Sequence, residues 1–391
     1  METARRAGLR TVRRPVKLGD TVVVERPELD TLFDVLRRRG YRVLGPTLRD
    51  EAIVYDEIDG VADLPAGWTD EQSPARYRLR RREDSALFGY ACPPQSWKRF
   101  LFPPAITLFR ARRTEGGFDV EPVEQEAEPP MAFFGVRACE LAAIAAQDRV
   151  FLRGPYVDPH YRSRRERLLI VAVHCLDPAG TCFCASLGTG PRARVGFDLA
   201  LTERLEDGRH AFLVEAGTAL GAELMAEVPH APASEAERRR AQEAVDSAAE
   251  RMGRALPTDG LRERLLRHYE SPRFEEVARR CLACANCTMV CPTCFCASVE
   301  DATDLAGEKT ERGRKWDSCF SLDFSYLHGG SVRRSVAARY RQWILHKLAF
   351  WHDQFGSGGC VGCGRCIAWC PAGIDITEEA LALGSEEGRE P

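Results

Sequence analysis

Two uninterrupted apolar runs anchor the hydrophobic pattern, MAFFGV (131–136) and LLIVAVH (168–174). Both have strand length, and such runs suit strands buried on both faces of a parallel sheet. Between them, CELAAIAAQDRVF (139–151) carries apolar residues at helical spacing. The segment therefore predicts a β-α-β unit with Cys139 and Cys175 just past two strand ends, where ligands gather in open α/β sheets. Upstream, PELDTLFDVLRRRG predicts a helix, followed by strands in YRVLGP and EAIVYDEI. TEGGFDVEPVEQEAEPP (114–130) is acidic and Pro-containing, which predicts an exposed loop or linker. Downstream the period changes. Residues 234–256 form a long charged helix with Ser234 as N-cap, and TDGLRERLLRHYE continues as a second. SPRFEEVARRC is a third helix, with Pro272 in its first turn, and residues 331–354 form another. The tail GSEEGREP is expected to fray.

Length and charge narrow the possibilities. At ~150 residues per domain, 391 residues predict two or three domains, and a 44% hydrophobic content supplies an ordinary globular core. The 55 Lys and Arg are balanced by 58 acidic residues, for a net charge of −3, which gives no electrostatic case for nucleic acid. Runs such as Arg238–Arg240 then read as solvated helix faces. No window approaches the ~18 apolar residues of a membrane span. Met1 to Lys17 is basic but lacks the apolar segment of a secretory signal, so a cytoplasmic location is expected. In a reducing compartment, sixteen cysteines point to metal rather than to disulfides.

The C-terminal third repeats one motif. Cys281-x2-Cys284-x2-Cys287-x3-Cys291-Pro292 recurs as Cys360-x2-Cys363-x2-Cys366-x3-Cys370-Pro371. This is the spacing of bacterial two-cluster ferredoxins, in which the fourth cysteine of each motif ligates the other cluster. Three thiolates on one tight loop cap three irons of a cubane, and inward-pointing amides stabilise its negative charge. By that rule cluster one takes Cys281, Cys284, Cys287 and Cys370. Cluster two takes Cys360, Cys363, Cys366 and Cys291. Zinc ribbons also use C-x2-C pairs, but they do not need a third and fourth cysteine at this spacing followed by proline. Clusters serving only as structural staples are the other bland reading, less apt for two joined clusters. The helical pattern between the motifs predicts an all-helical two-cluster domain, similar to that of succinate dehydrogenase iron–sulfur subunits.

A second group lies upstream: Cys139, Cys175, Cys182 and Cys184, the last two in HCLDPAGTCFCASLGTGP. Four cysteines match one cubane, and the glycines and prolines allow tight turns around it. They are therefore candidates for a third [4Fe–4S] cluster, against the alternative of four buried thiols. Cys294, Cys296 and Cys319 fall outside the ferredoxin spacing. They are either buried thiols around the clusters, tuners of a cluster, or part of a further centre. Cys92 has no partner at suitable spacing and is expected to be inert. The histidines are scattered; His160, in DPHYRSRRE, is the one expected near the upstream group. Neither a G-x-G-x-x-G nor a P-loop sequence is present, so the sequence makes no case for a nucleotide site of its own.

Several strings together carry a family resemblance: GVRACELAAIAAQDRVF, DPHYRSRRE, HCLDPAGTCFCASLGTGP, RCLACANCTMVCPTCFC, WDSCFSLDF, RQWILHK and CVGCGRCIAWCPAGIDI. Across about residues 131–380 the chain resembles the iron–sulfur beta subunit of soluble [NiFe] hydrogenase/sulfhydrogenases. The iron–sulfur A subunit of anaerobic sulfite reductase is similar in the same stretches. The resemblance implies three [4Fe–4S] clusters in a wire-like, non-catalytic subunit. It also implies two kinds of partner: a flavin-containing subunit facing NAD(P)H or ferredoxin, and a catalytic metal subunit. The latter is the small and large subunits of a [NiFe] hydrogenase or a sirohaem sulfite reductase subunit. A redox sensor is the remaining alternative, though no output module is visible. The expected architecture is an α/β (α+β) domain over 1–230, a helical connector over 231–270 and the ferredoxin-type domain over 271–391.

Overall fold

In the computed structural model, residues 12–122, 129–206 and 208–384 are described. Most of the basic start and of the tail expected to fray lies outside them. Fourteen strands occur among the described residues: β1 (Thr21–Glu25), β2 (Arg42–Arg49), β3 (Ala52–Glu57), β4 (Trp68–Ser73), β5 (Arg76–Arg81), β6 (Ala105–Thr114), β7 (Gly117–Pro122), β8 (Met131–Val136), β9 (Leu169–Val173), β10 (Leu199–Glu206), β11 (Arg209–Ala216), β12 (Ala231–Pro232), β13 (Ala297–Thr303) and β14 (Lys309–Trp316).

The largest sheet is mixed, ordered β12-β1-β11-β10-β9-β8-β2-β3. Its centre is parallel, β10 to β9 to β8 to β2, and its flanks are antiparallel. The apolar runs at 131–136 and 168–174 occupy the middle, as continuous burial requires. Alternate residues feed two cores. Phe134, Val171 and Leu201 meet Phe33, Leu36 and Met225 on one face, from helices Leu29–Arg38 and Ala219–Ala226. Phe133, Ile170 and Ala200 meet Trp97, Leu141 and Ile144 on the other, the last two from helix Ala138–Leu152. That helix links the adjacent parallel strands β8 and β9, completing the β-α-β unit.

The C-terminal half packs helices Leu261–Arg267, Arg273–Ala278, Val336–Leu345 and Ile376–Gly384 around Leu265, Phe274, Tyr340, Trp343 and Ile376. The expected all-helical character does not hold. β13 and β14 form a hairpin between the two cysteine motifs, and β14 pairs with β6 to give the sheet β13-β14-β6-β7. The partner strand lies far away in sequence, so local pattern carried no sign of it. The expected loop at 114–130 is likewise partly strand: β7 pairs with β6, while residues 123–128 are outside the described set. The helix expected over 331–354 is interrupted. Its middle turn, His346–Phe350, is π-helical, and a short helix Trp351–Phe355 follows.

Candidate metal centres

The two ferredoxin-type motifs fold as loops that each lead into one short helix, Asn286–Met289 and Arg365–Ala368. Backbone N–H groups point at the sulfurs. Ala283 donates to Cys281 Sγ, Gly362 to Cys360 Sγ and Ile374 to Cys370 Sγ, each at 3.4 Å. Such donors favour a charged thiolate over a neutral thiol. Cys281, Cys284, Cys287 and Cys370, with Cys366 of the second motif, line one cavity, walled by Leu282, Phe320, Tyr340, Trp343 and Ile374. Burial, reinforced by neighbouring sulfurs, pushes the Cys360 and Cys363 thiols up, to about 11 and about 12. Cys291 is one of those neighbours for both, and for Cys366 as well. Each motif's fourth cysteine thus lies with the other motif's first three. Among the described residues no three His, Cys, Asp or Glu groups crowd together as the ligands of one metal ion do.

The upstream cysteines converge at the carboxyl end of the large sheet. Cys139 sits in the first turn of helix Ala138–Leu152 and Cys175 just past β9; Cys182 and Cys184 come from the loop that follows. All four are buried. Cys92 joins them, its sulfur 3.6 Å from Cys139 Sγ, and it is an electrostatic neighbour of Cys175, Cys182 and Cys184. The expectation that Cys92 has no partner therefore fails. It sits 47 residues before Cys139, on a non-periodic loop, so neither spacing nor period flagged it. Around His160 the fold places the charged groups of Asp158, Arg314 and Arg164 rather than these sulfurs.

The upstream loop lies directly on the second ferredoxin loop. Phe183 N–H donates to Gly362 O at 2.9 Å, and Thr189 Oγ1 to Val361 O at 2.8 Å. Gly362 and Gly364 have φ of +64° and +74°, and a Cβ would stand 2.6 Å from Cys184 Cα and 2.5 Å from Thr181 O respectively. Only glycine permits both the turn and this approach. Cys363 becomes an electrostatic neighbour of Cys139 and Cys184.

Buried cations face these sulfurs, and the side chains of Arg137, Lys347 and Lys98 have no carboxylate partner among the described residues. Arg137 is 1% exposed, and its guanidinium donates to the carbonyls of His174, Phe88 and Tyr90. Burial opposes its charge, and the sulfurs of Cys175 and Cys92 are among the groups that hold it. Lys347 Nζ lies 3.0 Å from Cys291 Sγ and 3.2 Å from Thr293 Oγ1. Lys98 stacks on Trp316 and donates to Met289 O at 3.4 Å, with Cys294, Cys291 and Cys296 as charged neighbours. Isolated buried charges are costly, so these positions call for negative groups between them. An anionic iron–sulfur cluster fits that demand, and so does the thiol-rich lining. The accessory cysteines lie in the same region: Cys294 is an electrostatic neighbour of Cys291, and Cys296 of Cys319.

Comparison with known proteins agrees with this reading. A 4Fe-4S dicluster domain matches residues 280–374. The chain is 32% identical over 346 residues to sulfhydrogenase 2 subunit beta of Pyrococcus furiosus, covering 88% of this chain and 92% of that protein. The chain belongs to the sulfhydrogenase beta subunit family. It is an iron–sulfur, electron-transfer subunit of that family, with [4Fe–4S] clusters in its dicluster domain. No solved structure matches. In this family member the similarity extends well beyond the dicluster domain. A cleft of about 780 Å³ opens beside Cys360, bounded by Ala142, Arg149, Leu187, Arg262 and His352. Among the described residues no helix is long and apolar enough to cross a membrane.

Proposed function

We propose that this chain relays electrons through three [4Fe–4S] clusters within a cytoplasmic [NiFe] hydrogenase complex. Cluster one is held by Cys281, Cys284, Cys287 and Cys370. Cluster two is held by Cys360, Cys363, Cys366 and Cys291, and the third by Cys139, Cys175, Cys182 and Cys184. The donor side is a flavin-containing subunit linked to NAD(P)H or ferredoxin; the acceptor side is the catalytic metal subunit pair. The observation that carries the reading is the seat of the Cys182–Cys184 loop on residues 361–364, which gives one continuous row of sulfurs from Cys139 to Cys281. The name of the Pyrococcus furiosus relative supports a hydrogenase partner.

When bound, such clusters take up and release single electrons. The chain's residues do the rest. Cysteine thiolates and loop amides hold each cluster. Arg137 and Lys347 balance its charge, and Phe320, Tyr340 and Trp343 help keep water from the cavity at cluster one. Metal content tests the count. Anaerobically isolated full-length chain should contain about twelve irons and as many acid-labile sulfides, the stoichiometry of three cubanes. Changing Cys182 and Cys184 together to serine should lower both to about eight, because a hydroxyl is a poor iron ligand. If that double variant keeps all its iron with an unchanged EPR spectrum, the upstream cysteines are packing thiols.

A further inference from the structure

Lys347 stands where the two cysteine motifs meet. Its Nζ is 3.0 Å from Cys291 Sγ, and its backbone carbonyl accepts from Gly359 N at 2.8 Å, one residue before Cys360. Thr293 closes the arrangement, accepting from Lys347 at 3.2 Å, lying 3.2 Å from Cys291 Sγ and donating to Gly359 O at 2.7 Å. The residue opens the interior of the π-helical turn His346–Phe350, a distortion of the regular ladder that often marks a functional position. It is 4% exposed, with no carboxylate partner among the described residues. Its ammonium is a charged neighbour of six sulfurs: Cys287, Cys291, Cys294, Cys296, Cys319 and Cys360.

We infer that the fixed positive charge of Lys347 sets the reduction potential of the cluster held by Cys291, Cys360, Cys363 and Cys366, raising it above what the thiolates and loop amides alone would give. The inference rests on the cluster assignment proposed above. The physics is Coulombic. A reduced cluster carries one more negative charge than an oxidised one, and a cation in a buried, weakly screened site favours the more negative state. Cluster charge and hydrogen bonds to sulfur are the main protein levers on such potentials. Lys347 supplies both at Cys291; at the first motif it reaches Cys287 only as a charged neighbour, and Cys281 takes a backbone amide and the charge of Arg339. Lys347 is therefore a positioning residue for electron flow: it favours the reduced state of cluster two.

The test is an EPR-monitored potentiometric titration of anaerobically isolated full-length chain carrying Lys347→Gln or Lys347→Met. Glutamine keeps an N–H donor and loses the charge; methionine loses both. In each variant iron and sulfide should match wild type, while one cluster shifts to more negative potential and the others move less. At a fixed solution potential its reduced-to-oxidised ratio should fall at least tenfold, which is about 59 mV for a one-electron couple. Unchanged potentials with full iron overturn the inference. So does a shift in methionine but not in glutamine, which would assign the effect to the hydrogen bond. Iron loss from both variants makes Lys347 a scaffold residue and overturns it too. Wild-type chain without acid-labile sulfide would instead overturn the cluster reading beneath it.

Discussion

Replacing Glu140 by alanine should destabilise the protein by about 3–5 kcal/mol, the cost of stripping one partner from a buried ion pair. Glu140 joins three parts of the molecule. Its Oε1 accepts from Arg365 Nη2 at 2.5 Å, and its Oε2 from Tyr55 Oη at 2.6 Å and Trp97 Nε1 at 3.0 Å. Both charged partners are out of solvent, Arg365 at 0% and Glu140 at 1% exposure. Arg365 lies in the second ferredoxin loop, between Cys363 and Cys366, and also donates to the carbonyls of Pro93 and Gln95. Glu140 follows Cys139 on helix Ala138–Leu152. The pair therefore fastens the second ferredoxin loop to the helix that opens the upstream cysteine group. Without Glu140 the guanidinium is left buried with only carbonyl acceptors, and a tyrosine hydroxyl and an indole lose theirs. Thermal loss of the iron–sulfur absorbance should move to markedly lower temperature. The double variant Glu140→Leu with Arg365→Leu should be less damaged than Glu140→Ala, because an apolar pair leaves no uncompensated charge. A Glu140→Ala protein with wild-type thermal behaviour would mean that this joint does not hold the two halves together.

What the sequence made legible follows from range. The strands at 131–136 and 168–174 were readable because burial on both faces writes an unbroken apolar run into consecutive residues. Cys139 and Cys175 followed from them, since a strand end is a local feature. The eight ferredoxin-type cysteines were readable because cubane geometry fixes short spacings along one loop. What stayed hidden depends on contacts between distant segments. The 297–316 hairpin finds β6 across the chain, so its strand character rests on a partner rather than on a pattern. Cys92 reaches Cys139 the same way. Lys98, Arg137 and Lys347 carry side chains that read as solvated in any local window, and burial beside sulfur is visible only once the fold brings the loops together. The interruption at His346–Phe350 was equally silent, because a π-helical turn keeps helical composition.

Exchanging the fourth cysteine of either motif should damage the cluster of the other motif. Cys291→Ser should perturb or remove the cluster held by Cys360, Cys363 and Cys366 and leave the one held by Cys281, Cys284 and Cys287. Cys370→Ser should do the reverse. The argument starts from placement. Cys370 shares a cavity with Cys281, Cys284 and Cys287, whereas Cys291 is a close electrostatic neighbour of Cys360, Cys363 and Cys366. Serine is a weaker ligand than thiolate, so a cubane losing one sulfur should be degraded or shifted in spectrum, costing up to about four irons. Cys291→Ser also takes the thiolate from beside Lys347, leaving that ammonium buried against a neutral hydroxyl, so it should be the more damaging of the two. EPR of each reduced variant decides which signal goes. In an assembled complex, loss of cluster two should cut turnover from the physiological donor steeply, while a small dye that reaches the catalytic subunit directly should still be turned over. Signals lost from the same motif as the substitution would replace the crossed assignment with a local one. Dye-linked and donor-linked turnover falling together, with the complex intact, would mean that this subunit does more than carry electrons.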